Sequence, residues 1–185
     1  MSTPKGIPSV DLSEFLSDDS SKREKFIKEL GAAYEGIGFV AVKNHGISKE
    51  LIDRLYDRIQ QFFALPEKTK KKYDIEGIGG QRGYTPFGKE HAKGKSAGDL
   101  KEFWHFGQFV EDDDPIKKEY PDNVNVEEVP DFLSTGKEAY KTFEDTGRHL
   151  LRAIAIHLDL EEDWKQYFTT NSLSANNWRD RRRGC

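Results

Sequence analysis

Apolar residues recur along this chain of 185 residues at two spacings, which predict short strands alternating with amphipathic helices. Residues 7–12 alternate apolar and polar positions and include Pro8, a pattern typical of an edge strand. A helix is predicted next, with Ser21 and Glu24 forming a capping box. Its apolar residues recur at helical spacing and are Phe26, Ile27, Leu30, Ala33 and Tyr34.

The stretch from Gly36 to Ile47 reads G-I-G-F-V-A-V-K-N-H-G-I. Its glycines end the helical pattern, and residues 38–43 form a β-prone run that predicts a buried strand. The residues that follow, 44–46, predict a turn. Because helical patterns lie on both sides, we expect this strand to belong to a sheet that the helices cover.

Later segments continue this alternation. Ser48 predicts the start of a second helix, and Pro66 ends it and is predicted to open a short third helix. A glycine-rich segment then leads to a predicted strand within residues 99–108, D-L-K-E-F-W-H-F-G-Q. An extended surface connection up to Pro130 precedes the longest helical pattern, over 131–158. A final short helix is predicted over 161–168, and the rest of the chain has no apolar periodicity.

The composition excludes several classes of protein. With 33 acidic and 29 basic residues the net charge is -4, which gives no general attraction to nucleic acid or to membranes. The only cysteine, Cys185, excludes a disulfide framework and a thiolate metal site. No apolar run approaches the roughly 20 residues of a membrane helix. We therefore expect a cytoplasmic protein whose partner is a small molecule or another protein; its oligomeric state is left open.

Two motifs suggest phosphate or nucleic-acid binding, but their contexts do not favour it. The glycines from Gly77 to Gly83 nearly form a dinucleotide fingerprint, yet Arg82 stands where the third glycine is needed and no strand precedes them. The lysines at 68–72 lie close to acidic residues and have no interleaved aromatic residues, so we interpret them as a solvated face.

Several segments together resemble the N-terminal half of the isopenicillin N synthase-like family of 2-oxoglutarate- and iron(II)-dependent dioxygenases. The resemblance extends from about residue 7 to about residue 168 in the order expected for that family. The segments are G-F-V-A-V-K-N-H-G-I, L-P-E-K-T-K-K-K-Y, R-G-Y-T-P-F-G-K-E, D-L-K-E-F-W-H-F-G and A-I-A-I-H-L-D-L.

The resemblance implies an α+β fold in which N-terminal helices brace the first strands of an incomplete double-stranded β-helix, or jelly roll. It assigns residues 1–168 to the non-haem dioxygenase N-terminal region and leaves 169–185 as a divergent tail, which we expect to be disordered. In the family, Fe(II) is held by a His-x-Asp pair and a later histidine, and 2-oxoglutarate by a further arginine. These ligands normally lie beyond the point where this chain stops.

One His-x-Asp pair does occur, at His157 and Asp159. It falls within the predicted long helix, where residues two apart point about 200° around the axis and cannot both face one metal. The histidines are at 45, 91, 105, 149 and 157, so none follows the pair. We therefore expect this chain to bind neither Fe(II) nor 2-oxoglutarate, and we interpret it as a truncated or frameshifted product or a fragment.

The resemblance also implies three substrate-binding candidates at the mouth of the active site: Arg82, Tyr84 and Phe103. The guanidinium of Arg82 can pair with a substrate carboxylate through two parallel hydrogen bonds. The alternative is that Tyr84 and Phe103 belong to the core and Arg82 to the surface.

Two histidines receive structural interpretations. In the family the position of His45 belongs to a structural turn. His105 lies between Trp104 and Phe106 in a predicted strand, so its side chain is expected on the opposite face from both. There it lines a pocket or meets solvent.

Two functions stay open at this point. The first is the N-terminal part of a dioxygenase that oxidises a small organic substrate, inactive alone because the iron ligands are absent. The second is a non-catalytic interaction protein built on the same scaffold. The sequence does not distinguish hydroxylation, desaturation and ring closure.

Overall fold

The structure, a computed structural model, describes residues 6–90 and 98–160. None of the helices in these ranges is long and apolar enough to cross a membrane. The elements in chain order are β1 (Ser9–Asp11), α1 (Leu12–Phe15), α2 (Ser20–Gly36), β2 (Ala41–Lys43), α3 (Lys49–Phe63), α4 (Glu67–Lys70), a 3₁₀ helix (Lys71–Tyr73), β3 (Gly83–Thr85), β4 (Phe103–His105), a second 3₁₀ helix (Pro115–Glu119) and α5 (Phe132–His157).

The chain divides into two compact units. Among the described residues, the first contains 6–47 together with 143–160, and the second contains 48–90 and 98–142. Helix α5 therefore contributes its beginning to the second unit and its end to the first. The predicted helix over 161–168 and the predicted tail boundary at residue 168 lie outside the described residues.

The first unit is built on β1 and β2, which pair in parallel with Ser9 opposite Ala41. Helices α1, α2 and α5 supply the rest of its core. The buried members of this core are Val10, Leu12, Phe15, Phe26, Leu30 and Ala153.

Strand β2 departs from the sequence prediction in two respects. It has three residues rather than the six expected over 38–43, because Gly38 has a left-handed φ of +78° and the run before Ala41 stays irregular. It is also not buried on both faces: Val42 packs against the core, whereas the Phe39 side chain is 68% exposed. A sheet covered on one face alone turns every second side chain outward.

The cap of α2 also differs from the prediction. Asp19, not Ser21, is the N-cap, and its carboxylate accepts hydrogen bonds from the backbone N–H groups of Ser21 (2.9 Å) and Lys22 (3.3 Å). An aspartate satisfies the free N–H groups of the first turn as well as a serine does, and its charge favours the helix N-terminus. The predicted cap of α3 is confirmed, since Ser48 Oγ accepts from Leu51 N–H at 3.1 Å.

His45 lies in the predicted turn. Asn44 and Gly46 have left-handed φ angles of 52° and 83°, and His45 Nδ1 accepts from Ile47 N–H at 3.2 Å. The carbonyl of His45 also accepts a hydrogen bond of 2.5 Å from the hydroxyl of Thr146. The turn is thereby fixed to helix α5 within the first unit.

His157, the last residue of α5, packs on α2 at Gly31. A methyl group at Gly31 would overlap the imidazole ring, so only glycine leaves room for this contact. His157 Nε2 also lies 2.9 Å from a carboxylate oxygen of Glu35. Asp159 is outside the helix, contrary to the prediction, with a left-handed φ of 52° and an exposed side chain.

The second unit is an aromatic core around Phe62, which contacts five other aromatic rings. Strands β3 and β4 pair in an antiparallel hairpin that covers one side of this core. Its buried members are Phe62, Tyr73, Tyr84, Val126, Val129 and Phe132. The segment before Pro130 is thus not purely a surface connection, because Val126 and Val129 are buried in it.

The predicted α+β class is confirmed: helices and short strands alternate, and the described ranges contain no closed barrel. The long helical pattern is confirmed as α5. The predicted edge strand near residue 7, the second helix and the strand before residue 108 are also confirmed.

Replacing Gly31 with alanine should destabilise the protein by about 1 kcal/mol, because displacement of the His157 ring outweighs the gain in helix propensity. Gly36→Ala, in the same helix but facing open space, should stabilise by about 0.5 kcal/mol. Urea unfolding of both variants measures the difference. In a His157→Ala background, Gly31→Ala should cost nothing; an unchanged cost there would contradict the packing explanation.

Candidate functional site

The β3–β4 hairpin carries the residues that the sequence marks as candidates. Tyr84 and Trp104 are directly opposite each other and pack into the aromatic core. Phe103 and His105 share the other face, with ring centroids 4.7 Å apart. The prediction that His105 lies opposite Trp104 and Phe106 is therefore confirmed.

A buried polar cluster connects this hairpin to α4. The Tyr84 hydroxyl donates to Glu102 Oε2 at 2.5 Å, and Lys70 Nζ contacts both oxygens of Glu102 at 2.7 and 3.0 Å. Lys70 is only 8% exposed, and its ammonium also lies 5.7 Å from the centre of the Tyr84 ring. We call these three residues the Lys70–Glu102–Tyr84 cluster.

The electrostatics of the cluster favour a neutral tyrosine between charged partners. Burial, and then the hydrogen bond to the Glu102 carboxylate, raise the pKa of Tyr84 above its usual value. A buried ion pair is costly to break on one side only, because the remaining charge is then left without a partner. The cluster therefore fixes the hairpin relative to the segment 66–73.

Lys70 and Glu102 are not among the sequence candidates. Lys70 belongs to the lysine run that the sequence indicates as a solvated face, and that interpretation is wrong for this residue. Its ammonium lies 3.4 Å from the Phe63 carbonyl at the end of α3 and 2.7 Å from Glu102, and these partners compensate for its burial. Glu102 alternates with Trp104, so the strand pattern itself turns it toward the core.

Arg82 is buried, with 6% of its surface exposed, rather than on the surface as the alternative interpretation has it. It donates to the Gln81 carbonyl at 2.8 Å and lies 3.5 Å from the Gln108 carbonyl, whereas its Nε has no partner. Its guanidinium rests on Gly107, where a side chain would overlap it. Loss of water around the guanidinium lowers its pKa.

A small cavity of about 70 Å³ lies beside this part of the chain, with room for a few water molecules or a carboxylate-sized group. Asn123 shapes its wall by pairing with the backbone of Gly107 through two hydrogen bonds of 2.8 and 3.0 Å. Lys117 is held there by Asp122 at 2.7 Å. The lining residues are Gln108, Phe109, Val110, Glu111, Lys117, Tyr120, Pro121, Asp122, Asn123 and Lys137.

Phe103 is half-buried on the outer face of the hairpin. The Lys101 ammonium lies 5.3 Å from its ring centre. On the same face, His105 Nδ1 lies 2.7 Å from the Gly80 carbonyl, which fixes the orientation of the imidazole. This face presents an aromatic ring, a cation and an oriented imidazole.

The structure thus does not bring the three predicted substrate residues to one point. Tyr84 is enclosed in the core, Phe103 lies on the opposite face of the hairpin, and Arg82 is buried against Gly107. Their role in substrate binding stays a prediction.

Iron does not fit the residues that the structure describes. Within positions 6–90 and 98–160, no group of three or more histidine, cysteine, aspartate or glutamate side chains could hold a metal ion. The imidazole of His157 contacts Glu35, and Asp159 lies apart from the helix. We therefore assign no step of an iron-dependent reaction to these residues.

Comparison with known proteins places this scaffold in a class. Residues 7–128 match the family described as non-haem dioxygenase in morphine synthesis N-terminal. A 2-oxoglutarate-dependent dioxygenase from Dothideomycetidae sp. is 30% identical, and the match covers 85% of this chain. A 2-oxoglutarate-Fe(II) type oxidoreductase from Emericella nidulans is 26% identical, and the match covers 92% of it.

Solved structures agree with this class. A 2OG-Fe(II) oxygenase family protein from Caulobacter crescentus superposes with a TM-score of 0.74 at 37% identity, and the match covers 87% of this chain. A full-length protein from Neurospora crassa, solved in complex with α-KG, shares the fold with a TM-score of 0.71 at 23% identity, over 90% of this chain.

The fold and these matches define an N-terminal scaffold of the 2-oxoglutarate-Fe(II) oxygenase class. Within that class, the chain belongs to the isopenicillin N synthase-like family of non-haem dioxygenases, of which it represents the N-terminal region. It spans 49% to 51% of the length of the relatives named above.

Removing the carboxylate of Glu102 should destabilise the protein strongly. Glu102→Ala leaves the Lys70 ammonium without its carboxylate in a buried place, and we expect a loss of about 3 kcal/mol. The matched control is Glu90→Ala, which breaks the exposed ion pair with Lys101 and should cost less than about 1 kcal/mol. Chemical denaturation measures both; equal losses would contradict a special role for the cluster.

Stability should fall in alkali because of Tyr84. Its pKa is raised in the folded state, so its contribution is complete below pH about 10, the ordinary tyrosine value, and is lost as the pH rises above it. Urea unfolding from pH about 8 to about 11 should show a steeper alkaline loss for the wild type than for Tyr84→Phe. Parallel curves would argue against a neutral, buried Tyr84.

Proposed function

We propose that this chain forms the N-terminal scaffold of a non-haem Fe(II)- and 2-oxoglutarate-dependent oxidoreductase that oxidises a small organic substrate. The family match over residues 7–128 carries the proposal. Support comes from the 37% identity to the Caulobacter 2OG-Fe(II) oxygenase family protein and from relatives named as 2-oxoglutarate-dependent oxidoreductases.

We propose that this chain positions the hairpin and contacts the substrate, and that it does not bind the metal. None of its five histidines follows the only His-x-Asp pair. We therefore propose that the 185 residues alone hold neither Fe(II) nor 2-oxoglutarate. In the family the metal supplies oxygen activation, and this chain's contribution is the rigid hairpin that the Lys70–Glu102–Tyr84 cluster fixes.

Roles in substrate binding are proposed for Arg82, Tyr84 and Phe103. Phe103 is the best placed of the three, because part of its ring is accessible beside Lys101 and the oriented imidazole of His105. Arg82 keeps a free Nε donor in a buried place, so a carboxylate that reached it would gain a strong hydrogen bond. Tyr84 acts in this proposal through Glu102, by holding the hairpin in shape.

The acidic net charge supports a small-molecule substrate over nucleic acid, and the lone cysteine supports a cytoplasmic location. A second candidate function is a non-catalytic interaction protein on the same scaffold. The exposed Phe39 beside β2 favours it, since aromatic side chains are enriched at protein–protein interfaces.

The test joins this chain to the part of the Caulobacter protein that it does not match. The 185-residue chain alone should contain iron far below one equivalent and release no succinate from 2-oxoglutarate. A chimera in which residues 7–160 replace the matched part of the Caulobacter protein should bind iron and release succinate. Metal analysis and succinate detection measure this; stoichiometric iron and succinate from the chain alone, or an iron-loaded chimera that leaves 2-oxoglutarate intact, would contradict the proposal.

Variants of the chimera separate substrate contact from scaffolding. Phe103→Ala should raise KM for the substrate while leaving the iron content unchanged, because it removes a contact and not a support. Tyr56→Ala, which removes an exposed aromatic ring on helix α3, is the matched control for surface changes. A Phe103→Ala chimera with unaltered KM would remove Phe103 from the substrate site.

A further inference from the structure

The second unit contains a cavity that the proposed reaction does not use. Its volume is about 70 Å³, and a water molecule needs roughly 10–15 Å³ of such space. The cavity therefore has room for about five water molecules or for one small organic molecule. None of the three residues proposed to bind substrate lines it. Its walls indicate which kind of molecule it fits.

The walls of the cavity are held in place by hydrogen bonds and by an aromatic contact. The side chain of Asn123 pairs with the backbone of Gly107 at 2.8 and 3.0 Å, directly before the lining residues 108–111. The Phe109 ring packs edge-on against Tyr140 of α5, with ring centroids 5.8 Å apart. A cavity whose walls are ordered before binding loses little conformational entropy when a ligand enters.

Lys117 is a structural cation in this wall. Its ammonium donates to the Val110 carbonyl at 3.1 Å and forms ion pairs with Asp122 at 2.7 Å and Asp112 at 3.0 Å. These three acceptors match the three N–H groups of an ammonium. Lys117 therefore closes the wall and has no donor left for a ligand.

Lys137 is the cation that is available to a ligand. Its ammonium lies 5.5 Å from the centre of the Phe109 ring, and among the described residues no carboxylate pairs with it. The negative side chains of the lining are Asp122, which Lys117 neutralises, and Glu111, which is exposed to solvent. Because water and salt screen an exposed charge, the charge balance of the cavity favours an anion.

We propose that this cavity binds a small monocarboxylate of about the size of propanoate, with Lys137 as the anion contact and Phe109 as the apolar wall. The carboxylate accepts a charge-assisted hydrogen bond from the Lys137 ammonium, and the short carbon chain packs against the Phe109 ring. The inference goes beyond the function proposed above, because binding at this place requires neither a metal nor 2-oxoglutarate.

The experiment titrates the isotope-labelled 185-residue chain with propanoate and follows the backbone amide signals by NMR. Saturable shifts are expected at residues 108–111 and at Lys137, with a Kd in the millimolar range because the ligand is so small. Propanamide has the same shape without the charge and should bind about tenfold more weakly. Equal binding of the acid and the amide, or the absence of saturable shifts at these residues, overturns the proposal.

Substitutions of opposite sign test the electrostatic contact. Lys137→Met keeps the length of the side chain and removes its charge, so the Kd for propanoate should rise about tenfold. Glu111→Gln removes a like charge and should lower the Kd by up to about threefold. The matched control is Lys141→Met, which changes an exposed lysine one turn later in α5 that does not line the cavity and should leave the Kd unchanged. Equal effects of Lys137→Met and Lys141→Met refute the contact, and a higher Kd in Glu111→Gln contradicts a carboxylate occupant.

Circular dichroism and urea unfolding first establish that each variant folds. Where Lys137→Met does not fold, Lys137→Arg and the comparison of acid with amide in the wild type decide. Lys137→Arg keeps the positive charge and should bind propanoate within about threefold of the wild type; a loss as large as that expected for Lys137→Met refutes the anion contact. No readout depends on iron or on succinate release, so a failure of the proposed function leaves this test intact.

Discussion

The pairing of Lys70 with Glu102 is the interaction on which the second unit depends. An ammonium group removed from water must keep a carboxylate beside it, so α4 and the start of β4 have to meet at one distance and in one orientation. The same carboxylate accepts a hydrogen bond from the Tyr84 hydroxyl, and the Tyr84 ring packs on Phe62 at the centre of the aromatic core. The apolar contacts alone leave the position of α4 relative to the hairpin adjustable, and the ion pair and the hydrogen bond to Glu102 fix it.

How far the sequence predicts this structure depends on the kind of signal. Helix α5 and the cap at Ser48 are predictable because both follow from local periodicity and local hydrogen bonding. The burial of Lys70 is not predictable, because a charged side chain is expected to be exposed to solvent. Only Glu102, which is distant in sequence, compensates for the loss of water around the ammonium. The apolar neighbours of Phe39 in the sequence predict that it is buried, whereas its side chain is 68% exposed in the structure. The two-unit division is also not predictable, since it joins residues far apart in the chain.

For the candidate site, the sequence resemblance identifies the right hairpin but does not predict how its side chains are arranged. Local alternation correctly places His105 opposite Trp104, whereas the place of Arg82 depends on Gly107, which is distant in sequence and leaves space for the guanidinium. Because glycine has no side chain, the contact of Arg82 with Gly107 produces no periodic pattern in the sequence. Family membership is shown over residues 7–128, and within positions 6–90 and 98–160 no group of three or more histidine, cysteine, aspartate or glutamate side chains could hold a metal ion.

The contact of His157 with Gly31 also bears on the order of events during synthesis. The first unit needs Val10 and Ala153 together, so it closes only after the whole intervening segment has left the ribosome. At about 5–20 residues per second, that delay is on the order of ten seconds. The second unit is continuous from Ser48 to Thr142 and has no such delay. Residues 6–47 therefore wait without the cover of α5 while the aromatic core forms, and chaperones have their longest access to the chain there.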